Sequence, residues 1–392
     1  MTAPDVTPFS AAAAHHLAVS RQARVEEIRA LAADQLVEVA RSGVPGRVNR
    51  PLLAAMAHHG LLEALFPGAA SGQPTGQVAA SELCCLREGL AIVSTEAETT
   101  LALQGLGGYP ILQGGNPSLV KTWIPAIARG EAVAAFALSE PGAGSDAAAL
   151  ALHAEPVGDR WRLYGEKLWI SNAPEADVYT IFARTTPGGG PRGVTAFALP
   201  ADRPGCTGEP LELLAPHPIG RLLLDGVEVG PDDVLGEVDR GFRVAMATLD
   251  LFRPSVGAFA VGMGQAALDA AVSYTAHRQA FGGPLCDQEA VAHALADMAT
   301  ELEAARLLVH AAAAAFDGGA GRAEVTRRAA MAKLFATEVA QRVVDKALQL
   351  HGARGLVRGH LLEHLYRDVR ATRIYEGASE VQRTIIAREL FR

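Results

Sequence analysis

One carboxylate in this chain stands where a base would be useful. In the segment Arg367–Arg383, RDVRATRIYEGASEVQR, Glu376 lies between Tyr375 and Gly377 with arginines on both sides. A glycine beside a carboxylate adds no side chain to block the close approach of a ligand. The same residues also read as a helix N-terminus, with Glu376 near the positive end of the dipole and Ser379 and Glu380 in the first turn. Both readings stand on this segment alone.

Six other stretches carry chemistry-bearing residues. ALSEPGAGSDAAA (Ala137–Ala149) would expose backbone N–H groups and the hydroxyls of Ser139 and Ser145 to a polar or anionic ligand, or would be a plain turn between strands. GEKLWISN (Gly165–Asn172) places Trp169 and Ser171 on a strand, where a tryptophan is most often core. HRQAFGGPL contains Arg278 and Phe281 and reads neutrally as a helix end with a glycine cap. QLHGARG, with Gln349, Gly352 and Ala353, reads as another helix ending in glycine. LDLFRPSVG brings Asp250 and Arg253 together, and Arg388 follows far downstream; each charge reads most simply as solvated or paired. HLLEH (His360–His364) fits the H-x-x-E-H pattern of zinc peptidases. Zinc needs a third protein ligand, however, and the sequence nominates none, so no metal site is expected.

The elements that must position these residues change texture twice. Residues 1–131 read as helical, in segments such as VEEIRALAADQLVEVARSG and LVKTWIPAIARG, with FPGAASGQPTGQ as a loop. Residues 132–240 are short β-leaning runs (AVAAFALS, RWRLYGEKLWIS, VYTIFART, GVTAFALPAD, RLLLDGVEV) divided by turn-rich pieces, which suits an antiparallel sheet or barrel. Residues 241–392 return to long, alanine-rich amphipathic helix that should bundle.

Composition narrows the function. The 392 residues are 49% hydrophobic and 20% charged, enough for a substantial core. A net charge of −8 disfavours nonspecific nucleic-acid binding, which needs a basic footprint. The four cysteines form no CxxC pair, and Cys84 and Cys85 read as core thiols. No signal peptide is expected at the N-terminus, and no uncharged apolar run reaches the ~18 residues of a spanning helix. The expectation is a soluble, cytoplasmic protein without membrane or nucleic-acid partners.

In order and wording, these motifs resemble the acyl-CoA dehydrogenase family over most of the chain. The resemblance implies a mostly α fold with a central β domain: an N-terminal α-helical domain, a middle antiparallel β-barrel domain and a C-terminal four-helix bundle, with FAD at their junction. It implies that Glu376 removes the α-proton of an acyl-CoA thioester as a hydride leaves the β-carbon for the flavin, giving a trans-2-enoyl-CoA. It places Phe136, Leu138, Ser139, Ser145, Trp169, Ser171, Ala378 and Glu380 at FAD. From a neighbouring subunit Arg278, Phe281, Gln288, Gln349, Gly352 and Ala353 would reach the same cofactor. Gln288 stands one place early for that contact, and Ala353 replaces a glycine common in the family. Ser145, Asp250, Arg253, Gly377 and Arg388 would face the acyl-CoA. Some relatives carry the base just before the arginine of LDLFRPSVG, where this chain has Phe252, leaving Glu376. The expected partners are an electron-transferring flavoprotein and further copies of the chain, as a homotetramer or homodimer. The same chemistry on a carrier-protein thioester, reoxidation by oxygen as an oxidase, and a flavin-free scaffold are the alternatives. The acyl pocket is expected near Gly105–Ile111 and Tyr375.

Overall fold

A computed structural model describes residues 11–75 and 78–391. The start of the N-terminal stretch read above for a signal peptide, and Gly76-Gln77 of the first loop, lie outside the described residues. The first unit is helical: α1 (Ala11–Leu31), α2 (Val37–Arg41), α3 (Arg50–His58), α4 (Leu61–Leu65), α5 (Ala80–Ala91), α6 (Thr95–Gly114) and α7 (Pro117–Ala128). The segment expected as one helix near the start is divided by a π-turn at Ala32–Leu36, which turns Ala32 and Leu36 into the core. Local chemistry sets the helix starts. Ser94 accepts from the Ala97 N–H to cap α6, and Asn116 caps α7 just before Pro117.

The middle unit comprises β1 (Ala134–Ala137), β2 (His153–Val157), β3 (Arg160–Ser171), β4 (Val178–Arg184), β5 (Val194–Pro200), β6 (Cys206–Pro210), β7 (Ile219–Val229) and β8 (Val234–Leu235). The strands run in the order β6-β7-β3-β2-β4-β5-β8, mostly antiparallel. β1 and β2 share one edge of β4, both parallel to it. β1 is fastened to α6 through buried Gln104, which donates to Ala132 O (2.7 Å) and accepts from Ala134 N (2.8 Å). This side chain satisfies backbone groups that the sheet leaves open at its junction with the helices.

After α8 (Gly241–His277) a short hairpin, β9 (Gln279–Ala280) and β10 (Gly283–Pro284), leads to α9 (Glu289–Asp317), α10 (Arg322–His351), α11 (Leu361–Thr372) and α12 (Ser379–Leu390). The segment HRQAFGGPL is therefore a hairpin rather than a glycine-capped helix end: Arg278 leaves α8 in extended conformation and Gly282 serves the hairpin turn with φ +90°. Among the described residues α8 is the one helix apolar and long enough to cross a membrane, but most of it is buried between α5, α9 and α10. The approach of α5 to α8 depends on Gly262, where a Cβ would lie 2.6 Å from both Ala91 Cβ and Glu88 O. One core runs through all three units.

Candidate active site

Glu376 lies in the turn between α11 and α12, outside either helix. Its φ is +51° and that of Gly377 is +96°. A non-glycine residue in this region costs of order 1–3 kcal/mol and persists only when its surroundings enforce it. The enforcement is visible. Arg253 Nε donates to Glu376 O (3.3 Å), Gln382 Nε2 donates to Glu376 O (3.1 Å) and Gly377 O (2.9 Å), and Lys333 Nζ donates to Gly377 O (2.7 Å). Ser379 N reaches back to Arg373 O, and Ser379 Oγ donates to Glu338, which also pairs with Arg373. With both carbonyls held by side chains, the turn keeps its costly conformation. The helix N-terminus is real, but Ser379 and Glu380 occupy its first turn and Glu376 does not.

The carboxyl is electrostatically unusual. Its Oε2 atom is buried without a hydrogen-bond partner. Burial pushes its pKa above the usual carboxylate value, while the charges of Arg87, Lys333 and Arg253 pull the other way. A buried oxygen that no protein group satisfies, on backbone in a costly conformation, has the properties of a base awaiting a substrate proton.

Gly377 makes this geometry testable. A Cβ there would sit 2.5 Å from Gln382 Nε2, on backbone that disfavours any L side chain. Gly377→Ala should leave the fold intact but shift the turn, slowing any reaction in which Glu376 takes a proton about 10²-fold, the usual cost of a misplacement near 1 Å. Stopped-flow absorbance checks this, with circular dichroism as the folding control.

Beneath Glu376 lies a charge pair that motif reading missed. Arg87 on α5 and Glu98 on α6 are both fully buried and paired through Arg87 Nε; Arg87 Nη1 donates to Ser255 Oγ (2.7 Å), and the guanidinium lies 5.8 Å from the Phe259 ring centre. Burial pushes Glu98 up to about 7 against the pull of Arg87, and it feels the charge of Glu376. Phe252 is core, 6.3 Å from the Tyr109 ring and in contact range of Gly105. Gly105–Ile111 is helical, and Gly107 lets α6 press on β1.

The other expected site residues fall into three groups. Asp250 and Arg253 are buried and paired (3.3 Å), and Thr326 Oγ1 donates to Asp250; neither is a solvated surface charge. Arg388 is exposed and pairs with Glu389. On the sheet side, Phe136 packs edge-on to Phe182 and Leu138 is buried, while Ser139 is half-buried and Ser145 exposed. Their loop is clamped by Lys167, whose buried ammonium donates to Leu138 O (3.1 Å) and pairs with Glu140 (2.7 Å). Trp169 sits at a bulge between β3 and β7 with φ +62° and is 53% exposed, so it is not core. Ser171 Oγ is 2.8 Å from His217 Nε2. The third group is displayed outward. Phe281 is 88% exposed at φ +56°, Gln349, Gly352 and Ala353 are exposed, and Gln288 begins α9 half-buried. A cleft of about 490 Å³ opens beside them between Tyr274, His351, Arg354, Arg358 and His360.

The zinc-like motif is otherwise engaged. His360 caps α11 through the Leu362 N–H, Glu363 binds Arg367, and His364 binds Asp368 and Thr95. Among the described residues no His/Cys/Asp/Glu cluster is arranged for a metal.

An indole held exposed at a bulge, the Ser139 loop bonded to the adjacent Leu168 N–H, and an unsatisfied buried carboxylate together fit a flavin and a thioester. Comparison with known proteins agrees. Family models for the acyl-CoA dehydrogenase N-terminal, middle and C-terminal domains match residues 20–131, 135–227 and 239–391. Cyclohexane-1-carbonyl-CoA dehydrogenase of Geobacter metallireducens is 33% identical over 371 residues, 94% of this chain and 96% of that protein. The caffeyl-CoA reductase-Etf complex subunit CarC of Acetobacterium woodii is 36% identical over 350 residues, covering 87% and 90%. Among solved structures, butyryl-CoA dehydrogenase from Megasphaera elsdenii superposes with a TM-score of 0.88 at 32% identity, covering 95% of this chain and 98% of that one. The chain belongs to the acyl-CoA dehydrogenase family, FAD-dependent oxidoreductases acting on acyl-CoA.

Proposed function

We propose that this enzyme desaturates a compact acyl-CoA thioester between its α- and β-carbons, with Glu376 as the base. The observation that carries the reading is the Glu376 carboxyl: buried, unsatisfied at Oε2 and fixed on strained backbone. An α C–H of a thioester is too weakly acidic for a carboxylate unless the carbonyl is polarised. Inward fixation of the Glu376 and Gly377 carbonyls leaves the Glu376 N–H free of that network and suited to donate to the thioester oxygen. A preorganised donor of this kind is worth about 3 kcal/mol. Burial makes Glu376 a stronger base than an ordinary carboxylate, suited to work near neutral pH. Bound FAD would supply the acceptor for the hydride of the β-carbon, and loss of that hydride together with the α-proton taken by Glu376 would leave a trans-2-enoyl thioester. Phe136, Leu138, Ser139, Trp169 and Ser171 would hold the flavin ring, Trp169 by stacking that also excludes water. The electrons then pass to an electron-transferring flavoprotein.

The acyl group should be short or a single ring. The Arg87–Glu98 pair lies against Glu376 and Tyr375, Tyr109 packs on Phe252 beside Arg253, and Leu106 lies half-buried on the same helix as Tyr109. Outward display of Phe281, Gln349 and Gly352 supports a homotetramer in which one subunit completes the cofactor site of another. Titrating the holoenzyme anaerobically with butyryl-, cyclohexanecarbonyl- and palmitoyl-CoA tests the reading. The first two should bleach the flavin and the last should not; no bleaching by any acyl-CoA, with bleaching by a carrier-bound thioester, would overturn it.

A further inference from the structure

The turn that carries Glu376 is held from outside, and one of its holders is a buried amine. Lys333 on α10 has no exposed side chain, and its Nζ donates 2.7 Å to Gly377 O. Placing an ammonium in a core costs several kcal/mol unless charges and hydrogen bonds compensate. Here its hydrogen bond goes to the backbone of the base's neighbour, and the carboxylate whose charge it feels most is Glu376, followed by Glu338 and Glu380. The other tethers differ in kind. Gln382 is neutral, and Arg253 shares its guanidinium with Asp250.

We propose that Lys333 is the positioning residue of the base: its ammonium fixes the Gly377 carbonyl, holding the Glu376 backbone in its left-handed turn, and its charge keeps the Glu376 carboxylate ionised. This rests on Glu376 being the base. The charged and titratable groups that face Glu376 are Arg87 from α5, Glu98 from α6, Arg253 from α8, Lys333 from α10 and Tyr375 from its own turn. Glu98 opposes ionisation of Glu376, and the three cations favour it. Burial pulls Lys333 itself down to about 8, so it carries its charge at pH values below that.

The test uses the holoenzyme, its Lys333→Met, Lys333→Gln and Lys333→Arg variants, and Glu376→Gln. An infrared difference titration without substrate, with the Glu376 band identified by its loss in Glu376→Gln, reports protonation of the base directly. Lys333→Met should raise the midpoint by on the order of one pH unit and slow anaerobic bleaching by butyryl-CoA on the order of tenfold or more. Lys333→Gln, which keeps a donor without a charge, should raise the midpoint equally while losing less rate. Lys333→Arg should return the midpoint toward that of the parent. If Lys333→Met does not fold, the Lys333→Gln midpoint decides. An unmoved midpoint in the folded neutral variants overturns the proposal. Normal bleaching by Glu376→Gln would instead overturn the base assignment, which the substrate-free titration does not presuppose.

Discussion

Glu376→Gln is expected to retain bound flavin and to lose its reduction by acyl-CoA, with anaerobic bleaching slowed on the order of 10²- to 10⁴-fold. Glutamine keeps the size and planarity of the side chain and cannot take a proton at neutral pH. The backbone network of Arg253, Gln382 and Lys333 acts on carbonyls, so the turn should keep its shape in the variant. The folded state gains nothing from ionised Glu376, because burial disfavours that charge. The substitution should therefore cost little or no stability, and the loss can be assigned to chemistry rather than to unfolding. Stopped-flow spectra with butyryl-CoA, beside denaturation curves for both proteins, supply the comparison; bleaching at the parent rate would show that another group takes the proton.

The second large effect is on stability. Arg87→Met should cost about 3–5 kcal/mol of unfolding free energy, because it strands Glu98 inside the core. The pair is fully buried, and Arg87 also loses its bond to Ser255 Oγ and its place over Phe259. The pH dependence is specific. Glu98 titrates at about 7 in the folded protein against an ordinary 4.5, so its folded value is raised. A raised carboxyl contributes stability at low pH that is lost as pH climbs from the ordinary value through the folded one. Without Arg87 the folded value rises further, and the loss continues to higher pH. Urea denaturation from about pH 5 to about pH 9 should show the variant falling more steeply above neutrality than the parent. Equal slopes would mean that Glu98 does not depend on Arg87.

Much of this architecture was legible in the residues. Short β-leaning runs divided by turn-rich pieces located β1, β3, β4, β5 and β7 to within a residue or two, although β4 and β5 are buried nearly throughout and do not alternate. β2, β6 and β8 escaped because they are short and carry glycine, proline or few apolar residues. The order of helical, β and helical texture likewise gave the fold. HRQAFGGPL was misread locally, since Phe-Gly-Gly suits a helix cap as well as a hairpin and only pairing between strands decides. Glu376 stood out because glycine and arginine surround it in sequence. Arg87, Glu98, Lys167, Glu140 and Lys333 did not, since a lone charge in an apolar helix or strand looks like a solvated face. The missed signal was their neighbours: Lys333 follows RRAAMA and Arg87 follows ELCCL, positions that helical periodicity turns inward. Glu376 was visible as a motif, and its electrostatic surroundings only as a meeting of α5, α6, α8 and α10.

The seam between α5 and α8 bears on attempts to redesign acyl preference. Gly262 lets the two helices touch at Glu88 and Ala91, within a turn of Arg87. A methyl group at position 262 would push α5 outward and carry Arg87 away from Glu98 and Ser255, although residue 262 itself touches neither. A library that enlarges the substrate chamber by altering this seam would therefore select against its own base. Leu106 and Tyr109 on α6 lie apart from that contact and can be varied while the charges under Glu376 stay where they are.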